Sequence, residues 1–309
     1  MARRTFLFSL SSWFKVPEQG MQRFEILARA SAFPVVTACG GGEVQFVTSA
    51  HACCPWRFPK YYADDWLRYV DERHTRYTVE VRSSEGDALC HLEMHHRALC
   101  HESLDVALLS LPRGQGAPGG DEAPADGLGG RGFDALHDLG LEVAPLPLAS
   151  AEELQALRSR AVVPPLTFHG HTLEPRFDEA KDMDVSIQVP KVVRGSLRQE
   201  PELKAILSQR DLATTEETLK LGHCGGPVTL KAPPQGGTRQ LDREAEQEAE
   251  QEPATGAQQA QEVQGPLPLC VGVLEGIVPA EHPSRLACSA AFVPADEIAE
   301  LMLRAEQQL

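Results

Sequence analysis

The thiols, imidazoles and carboxylates of this 309-residue chain fall into two sets that could do chemistry. The first set is dispersed. His51 lies in VTSAHACC (Val47 to Cys54) just after an apolar run, Asp105 heads a second run in SLDVALLSLP (Ser103 to Pro112), and Cys224 occupies the glycine-rich string GHCGGPV (Gly222 to Val228) before a third. A thiol, an imidazole and a carboxylate are the residue types of nucleophilic catalysis with proton transfer. The second set is compact: Cys90, His91, His95, His96, Cys100 and His101 place zinc-ligand types within twelve residues. Their spacing is not a Cys-x2-Cys arrangement and the run leads into the Asp105 segment, so metal binding is the weaker expectation. Cys53 and Cys54 could form a redox-sensitive pair with Cys39, or be plain core cysteines. His169 and His171 flank Gly170 on an expected strand, as pocket residues or ordinary packing.

The elements that must position these groups read mostly as short strands bounded by Gly and Pro. Tyr77, Val79 and Val81 alternate with polar neighbours, the pattern of a half-buried strand. Segments 33–37, 44–48, 106–111, 165–169, 185–189, 227–230 and 269–274 have similar length and β-branched content. Helical signals are few. Residues 61–73 carry Trp66, Leu67 and Val70 at helical spacing, Ser150 and Glu153 form a capping-box pair, and 294–309 places Ile298, Leu301, Met302 and Ala305 on one stripe.

Two tracts break this texture and are expected to be disordered insertions. Residues 114–132 hold eight glycines and two prolines, with nothing apolar larger than Leu128. Residues 231–266 are a Gln/Glu/Ala/Gly/Pro tract without aromatics. The expected organisation is an N-terminal segment at 1–29, a first β unit at 30–112, a Gly-rich linker with a short helix at 113–160, and a second β unit with a terminal helix at 161–309.

The three dispersed strings resemble the chymotrypsin-like (trypsin-like) peptidase superfamily. A TAAH-type string, a D-[IV]-A-L-L string and G-x-[SC]-G-G-P occur here in that family's order. LCVGVLEGIVP (Leu269 to Pro279) resembles its substrate-lining strand, and ACSAAFVPADEIAELM (Ala287 to Met302) the closing strand and helix of its HtrA/Deg-type branch. The likeness spans roughly residues 30–305 and departs at the nucleophile, where Cys224 stands in place of the usual Ser. It implies an all-β fold of two six-stranded β-barrels with a C-terminal α-helix.

It also implies roles. His51 would be the general base, Asp105 would orient it and Cys224 would be the nucleophile, with the N–H groups of Gly222 and Cys224 as the oxyanion hole. Leu274, Glu275, Gly276 and His223 would line the substrate cleft, with His223 as a solvent-facing loop residue the ordinary alternative. The exchange of Ser for Cys is chemically viable, since the thiolate is the reactive species and an adjacent imidazolium lowers its pKa. The function expected is endopeptidase hydrolysis of protein or peptide substrates through a Cys-His-Asp triad, with no metal or cofactor. The alternative is a catalytically inactive protein of the same fold, serving as a structural or protein-binding subunit and recruiting partners through the 231–266 loop.

Composition narrows the rest. Lys and Arg number 29 against 44 Asp and Glu, and a net charge of -15 argues against a nucleic-acid partner. No apolar run is long enough to span a bilayer as a helix. Eight cysteines in a chain of this length suit reduced thiols in an intracellular compartment. The first seventeen residues carry Arg3, Arg4 and Lys15 with no acid, the composition of a mitochondrial transit peptide, against which stands an ordinary first strand or coil in a cytoplasmic protein.

Overall fold

A computed structural model describes residues 3–37, 43–59, 61–62, 64–112, 132–178, 182–200, 209–231, 262–263, 265–278, 286–287 and 289–307. The two polar tracts, apart from their ends, and Cys39 and Cys288 lie outside the described residues. In chain order the first half contains β1 (Arg3–Thr5), β2 (Phe8–Phe14), β3 (Glu25–Val36), β4 (Val44–Thr48), the short helix α1 (Ala50–Cys53), β5 (Thr75–Arg82), β6 (Ala88–Glu93), β7 (Leu99–Cys100) and β8 (Ala107–Ser110). A connector follows with α2 (Gly132–Asp138), β9 (Leu141–Val143) and α3 (Ala151–Arg158). The second half contains β10 (Leu166–Asp178), β11 (Met183–Leu197), β12 (Asp211–Thr215), β13 (Pro227–Leu230), β14 (Glu262–Val263), β15 (Leu269–Ile277), β16 (Ser289–Pro294) and α4 (Ala295–Gln307).

The fold is mostly β with a C-terminal helix. In the second half, β10, β11, β12, β16, β15 and β13 form a closed barrel. The expected first barrel does not close. Its strands form a seven-stranded antiparallel sheet in the order β6-β5-β2-β3-β4-β8-β7. The sheet curls until the N–H of His95, just past β6, reaches the Ser110 carbonyl at 2.8 Å. Beyond that bond β7 is only two residues long and pairs with β8 alone, so no ladder joins the two edges.

The first sheet also begins earlier than residue 30. Phe8–Phe14 pairs with β3 on one side and β5 on the other, and Phe8, Leu10 and Ser12 are fully buried. Phe8 and Leu10 pack with Phe46, Tyr77 and Val79 inside the curl, while Ser9 and Ser11 on the other face are buried as well. The helix expected over 61–73 is also replaced. Two short 3-10 turns, Asp65–Tyr69 and Glu72–His74, take its place, the second capped by Asp71 through the Arg73 N–H. Trp66 leaves the expected stripe to stack on Phe14, with ring centroids 4.7 Å apart.

Other elements follow the sequence pattern closely. Ser150 accepts from the Glu153 N–H and Glu153 from the Ser150 N–H, so the capping box starts α3. In α4, Asp296 and Glu297 occupy the first turn, and Ile298, Leu301, Met302 and Ala305 are buried. That stripe joins Phe33, Val47 and Leu108 from the sheet to Val273 and Val293 from the barrel, so one apolar cluster cements the two halves. Burying each such side chain contributes roughly 1.5–3 kcal/mol. The sheet–barrel junction is therefore a rigid seam, and the candidate site lies on it.

Candidate active site

His51 sits on the single turn α1, immediately after β4 delivers the chain to the seam. Asp105 precedes β8, the neighbour of β4 in the sheet, so strand pairing brings the two residues together across 54 positions of sequence. Both carboxylate oxygens are used. Asp105 Oδ1 accepts the His51 backbone N–H at 2.7 Å and Oδ2 lies 2.5 Å from His51 Nδ1. An ionised carboxylate only accepts, so Nδ1 carries a proton and Nε2 is the ring atom left for Cys224.

Cys224 is close enough to the His51 ring to act on its protonation. Burial of His51 disfavours its charged form, but the hydrogen bonds and charges of Asp105 and Cys224 outweigh it and raise its pKa to about 10. At neutral pH the proton therefore stays on the imidazole. Phe58, Tyr61 and Tyr62 wall the ring; Tyr61 stacks on it with centroids 5.2 Å apart and an interplanar angle of 21°. Burial, followed by the nearby Asp105 charge, raises the pKa of both tyrosines. They remain neutral, amphipathic walls.

Cys224 is partly exposed at the top of the turn Gly222–Gly226, and that turn is fastened from both halves of the molecule. Ser31, fully buried on β3, donates its backbone N–H to the Cys224 carbonyl and its hydroxyl to the Gly222 carbonyl, both at 2.8 Å. The same hydroxyl accepts the His171 N–H at 2.9 Å, and Thr48 donates to the Ser31 carbonyl at 2.7 Å. From the barrel, Leu274 accepts the Gly225 N–H and donates to the Gly226 carbonyl. Glycine is required at 225: its φ is +82°, and a Cβ would strike the Ser31 carbonyl and Thr48 Oγ1. Among the described residues, neither the Gly222 nor the Cys224 N–H donates to a protein acceptor. Two unclaimed amides beside a thiol are the arrangement that receives an oxyanion.

No protein-family model and no curated protein matches the chain.

The structure thus brings His51, Asp105, Cys224 and Gly222 together and redistributes the remaining expected residues. His223 belongs neither in the cleft nor at a solvent-facing loop. It is fully buried, packed on Gly170, where a Cβ would fall 2.7 Å from its ring. Leu274 is likewise only 1% exposed, and its backbone bonds make it a support for the Cys224 turn rather than a cleft wall. Glu275 is buried and pairs with Arg210. Gly276 is partly exposed at a β-bulge opposite β16. His169 bonds Thr229 Oγ1 at 2.9 Å and meets Phe6 edge-on with ring centroids 5.0 Å apart, and His171 Nδ1 lies 3.3 Å from Ser31 Oγ, so both belong to the seam.

The compact Cys/His run does not converge on a metal. Cys90 is in the core of the sheet, while His95 Nδ1 accepts from the Arg97 N–H and His101 Nδ1 from the Ser103 and Leu104 N–H groups. Among the described residues, no three His, Cys, Asp or Glu side chains form a metal-binding group. No helix among them is long and apolar enough to cross a membrane.

Sequence reasoning missed Ser31 and the stacking of Tyr61 on His51. Ser31 sits in the alternation Ala30-Ser31-Ala32 within an otherwise apolar strand, and a small polar residue there is the signal that could have marked it.

Proposed function

We propose that the protein is a cysteine endopeptidase of chymotrypsin-like fold, in which the curled sheet takes the place of the first barrel. The observation that supports this best is the Asp105 carboxylate bound to both the backbone N–H and the ring of His51, with Cys224 near enough to act on that ring and two unclaimed N–H groups beside the thiol. A non-catalytic protein-binding subunit would need no such contact.

With the proton on His51, the Cys224 sulfur attacks the scissile carbonyl carbon. The carbonyl electron pair moves to oxygen, which the Gly222 and Cys224 N–H groups receive. Collapse of the tetrahedral intermediate breaks the C–N bond, and the leaving amine takes the Nε2 proton. Neutral His51 then deprotonates a water that attacks the thioester. Expulsion of the sulfur restores the initial pair and releases the acid product. Asp105 holds the ring orientation throughout, and burial of its carboxylate shields that bond from water.

Protein or peptide is the proposed substrate class, with the 231–266 tract as the proposed means of recruiting it or a partner subunit. A reducing intracellular compartment, cytoplasmic or mitochondrial, suits the six described cysteines, all free thiols. The test is hydrolysis of unfolded protein and peptide-library substrates by the full chain, Cys224→Ala and Cys224→Ser. Cleavage by the full chain that is lost in Cys224→Ala supports the reading. Equal cleavage by both overturns it, as does no cleavage across the library.

A further inference from the structure

Outside the Cys224 site, one pair of thiols has the geometry of a reactive dithiol. Cys54 follows α1, three residues after His51, and Cys100 ends β7, five residues before Asp105. Their Sγ atoms lie 3.0 Å apart across 46 positions of sequence. The other described cysteines lack such a partner. Cys90 faces the His91 carbonyl, Cys270 faces the Gly272 carbonyl, and Cys53 is fully enclosed by the core.

The two thiols are also inequivalent. Contact with the Cys54 S–H, followed by the Arg57 guanidinium, lowers the Cys100 pKa against the opposing effect of burial. The same contact and burial push the Cys54 thiol up. Cys100 is partly exposed and Cys54 is buried behind it. One accessible thiolate backed by one shielded thiol is the division of labour between an attacking and a resolving cysteine.

We propose that Cys54 and Cys100 form a thiol–disulfide exchange site that takes low-molecular-weight disulfides of the glutathione class. The Cys100 thiolate attacks one sulfur of oxidised glutathione, the S–S bond breaks, and one glutathione thiolate leaves. The Cys54 thiol, losing its proton to solvent, then attacks Cys100 Sγ and expels the glutathione moiety as a second thiolate. The protein loses two electrons and the Cys54 proton, and the glutathione disulfide gains the two electrons as two thiolates, which take up protons from solvent. The resulting bond ties the arm that carries His51 to the arm that carries Asp105. The inference does not depend on the peptidase reading.

The experiment equilibrates the full chain in glutathione redox buffers, quenches with acid, alkylates free thiols and maps the peptides by mass spectrometry. The expected result is a Cys54–Cys100 linked peptide that rises with the oxidised fraction, reverts on reduction and raises the thermal unfolding midpoint. Cys54→Ser should instead accumulate glutathione on Cys100, and Cys100→Ser should leave Cys54 unmodified. Because the first measurement uses the unsubstituted chain, it decides the matter even if a variant fails to fold. Both thiols free at high oxidised glutathione would overturn the proposal, as would a stable adduct on Cys100 with Cys54 still free.

Discussion

The Ser31 hydroxyl donates to the Gly222 carbonyl at 2.8 Å, while the Ser31 N–H holds the carbonyl of Cys224 two residues on. A strand of the first half thus grips the turn that presents the nucleophile from the second half. Each half is incomplete as a site without the other.

Ser31→Ala keeps the backbone bond but removes the hydroxyl, leaving the buried Gly222 carbonyl without that donor at a cost of about 1–3 kcal/mol. We expect peptide turnover to fall roughly tenfold or more, with a smaller change in KM, because the loosened turn weakens oxyanion binding rather than substrate binding. Steady-state kinetics with the thermal midpoint measured in parallel check this. A loss of stability with unchanged kcat would make Ser31 a packing residue only.

His51 should titrate far above an ordinary histidine. Its raised folded pKa of about 10 means that its contribution to stability is complete below about pH 6.5, the unfolded value, and is lost as pH rises through about 10. Ring NMR shifts of His51 should move on the alkaline side of neutrality, and in Asp105→Asn the midpoint should fall. A midpoint near 6.5 in the unsubstituted chain would contradict the ion-pair description.

The seam histidines carry the opposite sign. Burial lowers His169 and His223 to about 4 and His171 to about 3. The unfolded chain therefore binds protons that the folded chain refuses, so stability is full above about pH 6.5 and falls as pH drops toward 3–4. Thermal midpoints measured from pH 7 to pH 4 should decline steeply, and His223→Asn should reduce the slope by about one proton. A midpoint constant down to pH 5 would mean that these rings are hydrated.

Phe8 tests the early start of the sheet. It is fully buried against Phe46, with ring centroids 5.0 Å apart at 86°. Phe8→Ala should cost about 3–5 kcal/mol, read from denaturant unfolding. A change under about 1 kcal/mol would place β2 outside the folded unit.

How far these features were legible follows from how local their causes are. The strand at Tyr77–Val81, the α3 capping box and the α4 stripe are set by neighbouring residues, and the sequence pattern located each. The Phe8–Phe14 strand was obscured because its Ser9, Ser11 and Ser12 are polar yet buried; Ser9 turns to Glu80 and Ser12 donates to the Ala52 carbonyl. Trp66 matched a helical stripe, but its stacking on Phe14 is a contact that spacing cannot reveal. At the site, His51, Asp105 and Cys224 were visible through their motifs. His223 was misplaced because a histidine beside a nucleophile gives no local sign of facing inward onto Gly170. Ser31 acts across the seam, so its role depends on the folded register of both halves.

The most direct measurement is the rate of alkylation at each cysteine, mapped by peptide, in the full chain and in His51→Ala. Cys224 should react fastest at neutral pH and slow by an order of magnitude or more in His51→Ala, while Cys100 keeps its rate. Cys224 labelling no faster than the buried Cys53, Cys90 and Cys270, or unaffected by loss of His51, would contradict an activated nucleophile at this site.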